Sequence, residues 1–138
     1  LGLNRILVTG EGLADPVFSK IKTPLVPTLH GDCFSMPPGA VKLAEGLVLC
    51  RDSTYKRINM AFRYGNSYGF QFEPQLTLEE LNVWDTLFRE DYELMGERFN
   101  PAEESARYLG EFARFEQFHS NQMGELLIAF LANAGLAY

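Results

Sequence analysis

Cysteine is scarce in this chain of 138 residues: Cys33 and Cys50 are the only two. That number makes neither a disulfide framework nor a tetrahedral metal site. Positive charge is also in deficit, with 12 Lys and Arg against 18 Asp and Glu and a formal net charge of −6. A nucleic-acid or anionic-membrane surface needs clustered positive charge, so both are excluded as partners. No apolar run approaches bilayer length; the longest is Leu126 to Ala132. The opening Leu1-Gly2-Leu3-Asn4-Arg5 lacks the charged n-region and small-residue cleavage site of a signal peptide. Leu rather than Met at the first position is what a fragment or a processed product would show. What is present is a core: 46% hydrophobic residues and 13% aromatics exclude intrinsic disorder. The expectation is one cytoplasmic globular domain over 1–138, strand-rich over 1–76 and helical over 77–138.

Before Pro74, short apolar runs alternate with turn residues, the pattern of strands. The runs are Arg5 to Thr9, Leu25 to Leu29 (with Pro27, hence an edge or irregular strand), Val41 to Ala44, Leu47 to Cys50, Ile58 to Tyr64 and Tyr68 to Phe72. Glu45-Gly46 and Gly65-Asn66-Ser67 read as turns, so an antiparallel component is expected. After Pro74 the period becomes helical. Thr77-Leu78-Glu79-Glu80 is a capping box, followed by Leu78, Leu81, Trp84, Leu87 and Phe88 at helical spacing. This helix is predicted to pack across the sheet with Trp84 buried. Asn100-Pro101-Ala102-Glu103 starts a second helix, with Tyr108, Phe112, Phe115 and His119 on one face. A third is predicted from about Asn121 to Asn133, ended by Gly135.

The turn Phe70-Gln71-Phe72-Glu73-Pro74-Gln75 leads from a strand into a capped helix, the place where α/β sheets hold ligands. Five segments, in order, carry a resemblance: Asp15-Pro16-Val17-Phe18; His30-Gly31-Asp32-Cys33-Phe34; Pro37-Pro38-Gly39-Ala40 with Leu43-Ala44; Asn59-Met60-Ala61-Phe62-Arg63-Tyr64-Gly65; and Tyr68-Gly69-Phe70-Gln71-Phe72. Over roughly residues 3 to 90 the chain resembles the C-terminal half of a class I (triad-type) glutamine amidotransferase of the GMP-synthase-like group. The resemblance implies an α/β fold: a partial flavodoxin-like sheet with an antiparallel strand component, followed by C-terminal helices. It places His30, Gly31 and Asp32 near substrate and implies no cofactor.

The departures bear on chemistry. The family turn reads Gln-Phe-His-Pro-Glu and supplies the His and Glu of a Cys-His-Glu triad; here those positions hold Glu73 and Gln75. The family's nucleophile elbow, in its N-terminal half, has no counterpart within this sequence. Thiolate attack on a carboxamide needs an imidazole to take and return a proton. An imidazolium lowers a neighbouring thiol's pKa, whereas a carboxylate raises it. Gln75 is neutral and stabilises no imidazolium.

Other candidates fare no better. His30 and Cys33 could meet only in a turn, and Cys33 falls where the family carries a polar residue, often Thr. Cys50 reads as a buried small hydrophobe, and His119 as a residue favoured by a helix C-terminus. Asp32 and Glu73 read as loop carboxylates. Glu73 as a general base on another substrate lacks an accompanying nucleophile or metal set.

The expectation is therefore a degenerate amidotransferase-like domain, inactive as this chain. The alternative is a binding or scaffolding module derived from that fold. Whether the chain is an enzyme stays open at this point. The expected partners are a second copy in a homodimer or a protein supplying the family's N-terminal half.

Overall fold

The computed structural model describes residues 2–23, 25–50, 54–90 and 100–136. Five strands form one sheet: β1 (Gly2–Val8), β2 (Leu25–Thr28), β3 (Val41–Leu49), β4 (Tyr55–Tyr64) and β5 (Ser67–Phe70), in the spatial order β2-β1-β3-β4-β5. Every pairing among them is antiparallel. A short helix α1 (Gly10–Ala14) and a 3-10 turn at Phe18–Lys20 lie between β1 and β2. Among the described residues two longer helices follow the sheet, α2 (Leu78–Leu87) and α3 (Pro101–Asn133). The α/β class with an antiparallel component holds.

Several elements differ from their sequence reading, each for a local reason. Glu45-Gly46 is not a turn. Ile6 and Leu7 of β1 pair with Gly46 and Glu45, and Ile58 and Asn59 of β4 pair with them from the other side. A strand flanked by two ladders runs on, and the irregularity becomes a bulge between Lys42 and Glu45. Thr9 leaves β1 to cap α1, accepting a hydrogen bond from the Gly12 amide at 3.0 Å. β5 ends at Phe70, although the Gln71 amide still donates to the Met60 carbonyl at 2.8 Å. The hairpin between β4 and β5 turns as predicted through Gly65, whose φ of +58° suits glycine.

The second and third predicted helices are one. Asn121 does not cap a new helix; its side chain accepts from Gln117 Nε2 at 2.9 Å one turn earlier, and no proline breaks the ladder. The result is 33 residues, about 50 Å of helix. Asn100 caps its start as read, accepting from the amides of Ala102 and Glu103.

The core has two parts. Ile6, Phe18, Leu43, Met60 and Phe72 form the larger, closed by Leu126 from α3. Leu76, Leu81, Tyr108 and Phe112 form the smaller, with Leu3 and Trp84 packed beside them. Thus α2 packs on α3 rather than across the sheet, and Trp84 is half-buried, its ring edge-on to Phe88. The α2 amide of Leu78 binds Glu116 of α3 at 3.0 Å, a carboxylate placed at a helix start, and this draws α2 onto α3. His119 is likewise not at a helix end. It lies within α3, buried and stacked on Phe112 with centroids 5.1 Å apart, and burial lowers its pKa.

Candidate functional site

The turn after β5 is pinned at both ends by buried apolar side chains, Phe72 and Leu76. Between them the Glu73 amide donates to the Pro27 carbonyl of β2 at 3.0 Å, and Leu76 closes back on Glu73. The turn therefore reaches from β5 to the opposite edge of the sheet. Beyond it, the predicted capping box is complete. The Glu80 amide donates to Thr77 Oγ1 at 3.2 Å, and the Thr77 amide donates to Glu80 Oε2 at 2.9 Å. The Thr77 amide and then the Thr77 hydroxyl, both donating to Glu80 Oε2, hold the Glu80 carboxyl below its ordinary pKa.

Glu73 and Gln75 face each other within this turn. Gln75 Nε2 donates to Glu73 Oε2 at 2.7 Å, so the pair is a carboxylate accepting from a neutral amide. Such a pair neither takes a proton from a thiol nor holds an imidazolium. No imidazole or thiol hydrogen-bonds to either side chain among the described residues.

The loop after β2 carries the remaining expected residues. His30 is half-buried, and burial lowers its pKa. Its Nδ1 lies 2.9 Å from the Asp32 carbonyl; a carbonyl only accepts, so that nitrogen carries the hydrogen. Gly31 and Asp32 are exposed, and a side chain at Gly31 would meet open space, so this glycine serves neither a close approach nor a left-handed turn. Cys33 is exposed and shares no hydrogen bond with His30 among the described residues. Its neighbour Phe34 folds back over β4, its carbonyl accepting from Asn59 Nδ2 at 2.9 Å and its ring edge-on to Phe62. Cys50 is half-buried rather than buried, its amide donating to the Thr54 carbonyl. Asp32 and Glu73 share no hydrogen bond.

What the structure does bring together are three of the motif segments. Asp15 is buried and accepts from the amides of Val17 and Phe18, from Arg63 Nε at 2.9 Å and from the Tyr68 hydroxyl at 3.0 Å. One carboxylate thus ties the 3-10 turn, β4 and β5. Burial, and then the bond to Asp15, raises the Tyr68 phenol to about 12. This cluster is saturated by its own members, which suits a structural tie better than a reactive group.

Sequence reading missed a second buried carboxylate. Asp85 accepts from Ser105 Oγ at 2.7 Å, Tyr108 OH at 2.8 Å and Arg89 at 3.0 Å. Burial alone would raise its pKa, but these donors prevail and lower it. The available signal was its place one turn after Leu81, in the register of the apolar stripe. No group of three or more His, Cys, Asp or Glu suited to a metal ion occurs among the described residues. Nor is any helix among them long and apolar enough to cross a membrane.

No family model matches the chain, and no curated protein does. Among solved structures it is similar to a glutamine amidotransferase from Thermotoga maritima, with a TM-score of 0.70 at 18% identity. The match covers 95% of this chain and 50% of that protein, so the chain spans about half its length. The likeness establishes a shared fold.

Proposed function

We propose that this chain is a domain of the class I, GMP-synthase-like glutamine amidotransferase type in which glutamine hydrolysis has been lost. The observation that carries the reading is the Glu73–Gln75 contact of 2.7 Å at the turn where the resembled family holds histidine and glutamate. A carboxylate there raises the pKa of any thiol brought beside it, and an amide cannot orient an imidazole. The domain acts in the cytoplasm without a cofactor. A non-catalytic binding role is the second reading, favoured by the apolar side chains that α3 leaves in water, Phe118, Leu127 and Ile128 among them. The partner in that case is a second copy or a separate polypeptide.

A glutamate-release assay on the purified chain is the test. The expected rate equals the buffer blank, both for the chain and for its Cys33→Ala and Cys50→Ala variants. Turnover that disappears with Cys33→Ala would overturn the reading and make Cys33 a nucleophile.

A further inference from the structure

A cavity of about 520 Å³ lies between the 3-10 turn and the last turns of α3. Small-molecule sites span about 300–1,000 Å³. Its apolar lining is Pro16 on one side and Ile128, Ala129 and Ala132 on the other. Two residues of opposite charge also line it from different elements, Lys20 from the turn and Glu125 from α3. Among the described residues neither side chain makes a hydrogen bond or an ion pair, with the other or with anything else. The walls that carry them are nevertheless fixed. Gln122, one turn before Glu125, accepts from the amides of Lys22 and Thr23, and Phe18 and Leu126 are buried together in the larger core. Lys20 and Glu125 therefore stand on facing walls at one end of the cavity, and Pro16, Ala129 and Ala132 extend it toward the other.

We propose that this cavity binds a free α-amino acid with an apolar side chain. The two charges select the ligand by exclusion. A carboxylate alone gains Lys20 but meets the like charge of Glu125, and an ammonium alone gains Glu125 but meets Lys20. A zwitterion satisfies both: its carboxylate accepts from Lys20 Nζ, and its ammonium donates to the Glu125 carboxylate. Its side chain then lies over Ala129 and Ala132, whose small size leaves the room, and removes Pro16 and Ile128 from water. An ion pair between Lys20 and Glu125 would compete with such a ligand, and the structure forms none. Glu125 is exposed, so both charge contacts are screened and binding is weak, on the order of 1 mM. Neither Glu73 nor Gln75 lines the cavity, so this site stands apart from the glutamine chemistry and does not depend on its loss.

Titration of the full chain with L-leucine, followed through its amide NMR shifts, is the test. Saturable shifts are expected around Lys20 and Glu125 and not at Glu73. Isocaproate, which lacks the ammonium, and isoamylamine, which lacks the carboxylate, should each bind about threefold to fivefold more weakly than leucine. Leucine should lose a similar factor on Lys20→Met and on Glu125→Gln. Neither variant should change the melting temperature, because neither side chain is tied within the protein, so a loss of binding is not a loss of fold. The double variant Lys20→Glu with Glu125→Lys should bind leucine again, with its head group reversed. No saturable shift at tens of millimolar leucine overturns the proposal. Equal binding of leucine and the two analogues, or binding unchanged in both single variants, overturns it as well.

Discussion

The strand-rich part and the helical part of this molecule solve one problem with the same device. Each buries an aspartate that accepts from a tyrosine hydroxyl and an arginine: Asp15 with Tyr68 and Arg63, Asp85 with Tyr108 and Arg89. They differ in reach. Asp15 joins partners 48 and 53 residues away, whereas Asp85 draws on Arg89 in the next turn and on Ser105 and Tyr108 some twenty residues on. They differ in charge as well. Residues 1–76 carry 8 basic and 6 acidic side chains, residues 77–138 carry 4 and 12. A buried anion is easier to satisfy where cations are plentiful, and Asp85 accordingly leans on hydroxyls. The long-range tie constrains the fold, while the short-range one fastens two helices.

Removing each carboxylate should expose that difference. Asp15→Ala strands the Arg63 guanidinium, the Tyr68 hydroxyl and two amides, and should cost on the order of 3–5 kcal/mol. Asp85→Ala leaves two hydroxyls that can rotate toward other acceptors and an arginine already half in water, and should cost about 2–3 kcal/mol. Urea midpoints at unchanged slope measure both. Equal losses would mean that the two ties do the same work and that reach is irrelevant.

The same contrast explains what was legible in the sequence. Strands and caps were, because alternation and the Thr77 and Asn100 signals are local. The Asp15 cluster was visible only in pieces: the segments around Asp15, Arg63 and Tyr68 each stood out, but their meeting depends on β4, β5 and the 3-10 turn being placed together. The apparent turn at Glu45-Gly46 misled because two neighbouring strands hold it extended. The break near Asn121 misled because an asparagine that can cap a helix can also bond within one, as Gln117 shows. At the turn, the identities of Glu73 and Gln75 are plain in the sequence, but their contact depends on how the turn folds back on itself.

Trp84 sharpens the comparison further. Had α2 packed across the sheet with this ring enclosed, truncation to alanine would cost on the order of 3–5 kcal/mol. It sits instead beside Leu81 against α3, half-buried, so Trp84→Ala should cost about half that, roughly 1.5–2.5 kcal/mol. Denaturation followed by far-UV circular dichroism, independent of the lost fluorophore, reads it. A loss at the full value would mean that α2 leans on the sheet in solution and that the two cores are really one.

The smallest effect is one of pH, and two groups of the helical part produce it in steps. His119 is buried against Phe112, and its folded pKa lies below the ordinary 6.5. The unfolded chain therefore binds this proton more readily. The stabilisation is present above 6.5 and is lost as pH falls from there toward the lower folded value. Asp85, held below its ordinary 3.8 by its donors, contributes stability that is present above 3.8 and lost only as pH falls through its own lower folded value. The histidine step begins at 6.5 and the carboxylate step at 3.8, so the histidine step starts first on acidification. His119→Phe keeps a ring on Phe112 and removes the proton, so it should reduce the drop in melting temperature as pH falls below 6.5, leaving the share that comes from His30, whose pKa burial also lowers. Asp85→Asn should lower stability already at neutral pH, leave that drop unchanged, and remove only the further loss seen in stronger acid. If His119→Phe melts with the wild-type pH profile, the imidazole is reached by water in the folded chain, and α3 is held beside it by Leu126 in the core and by Gln122, whose side chain accepts from the amides of Lys22 and Thr23.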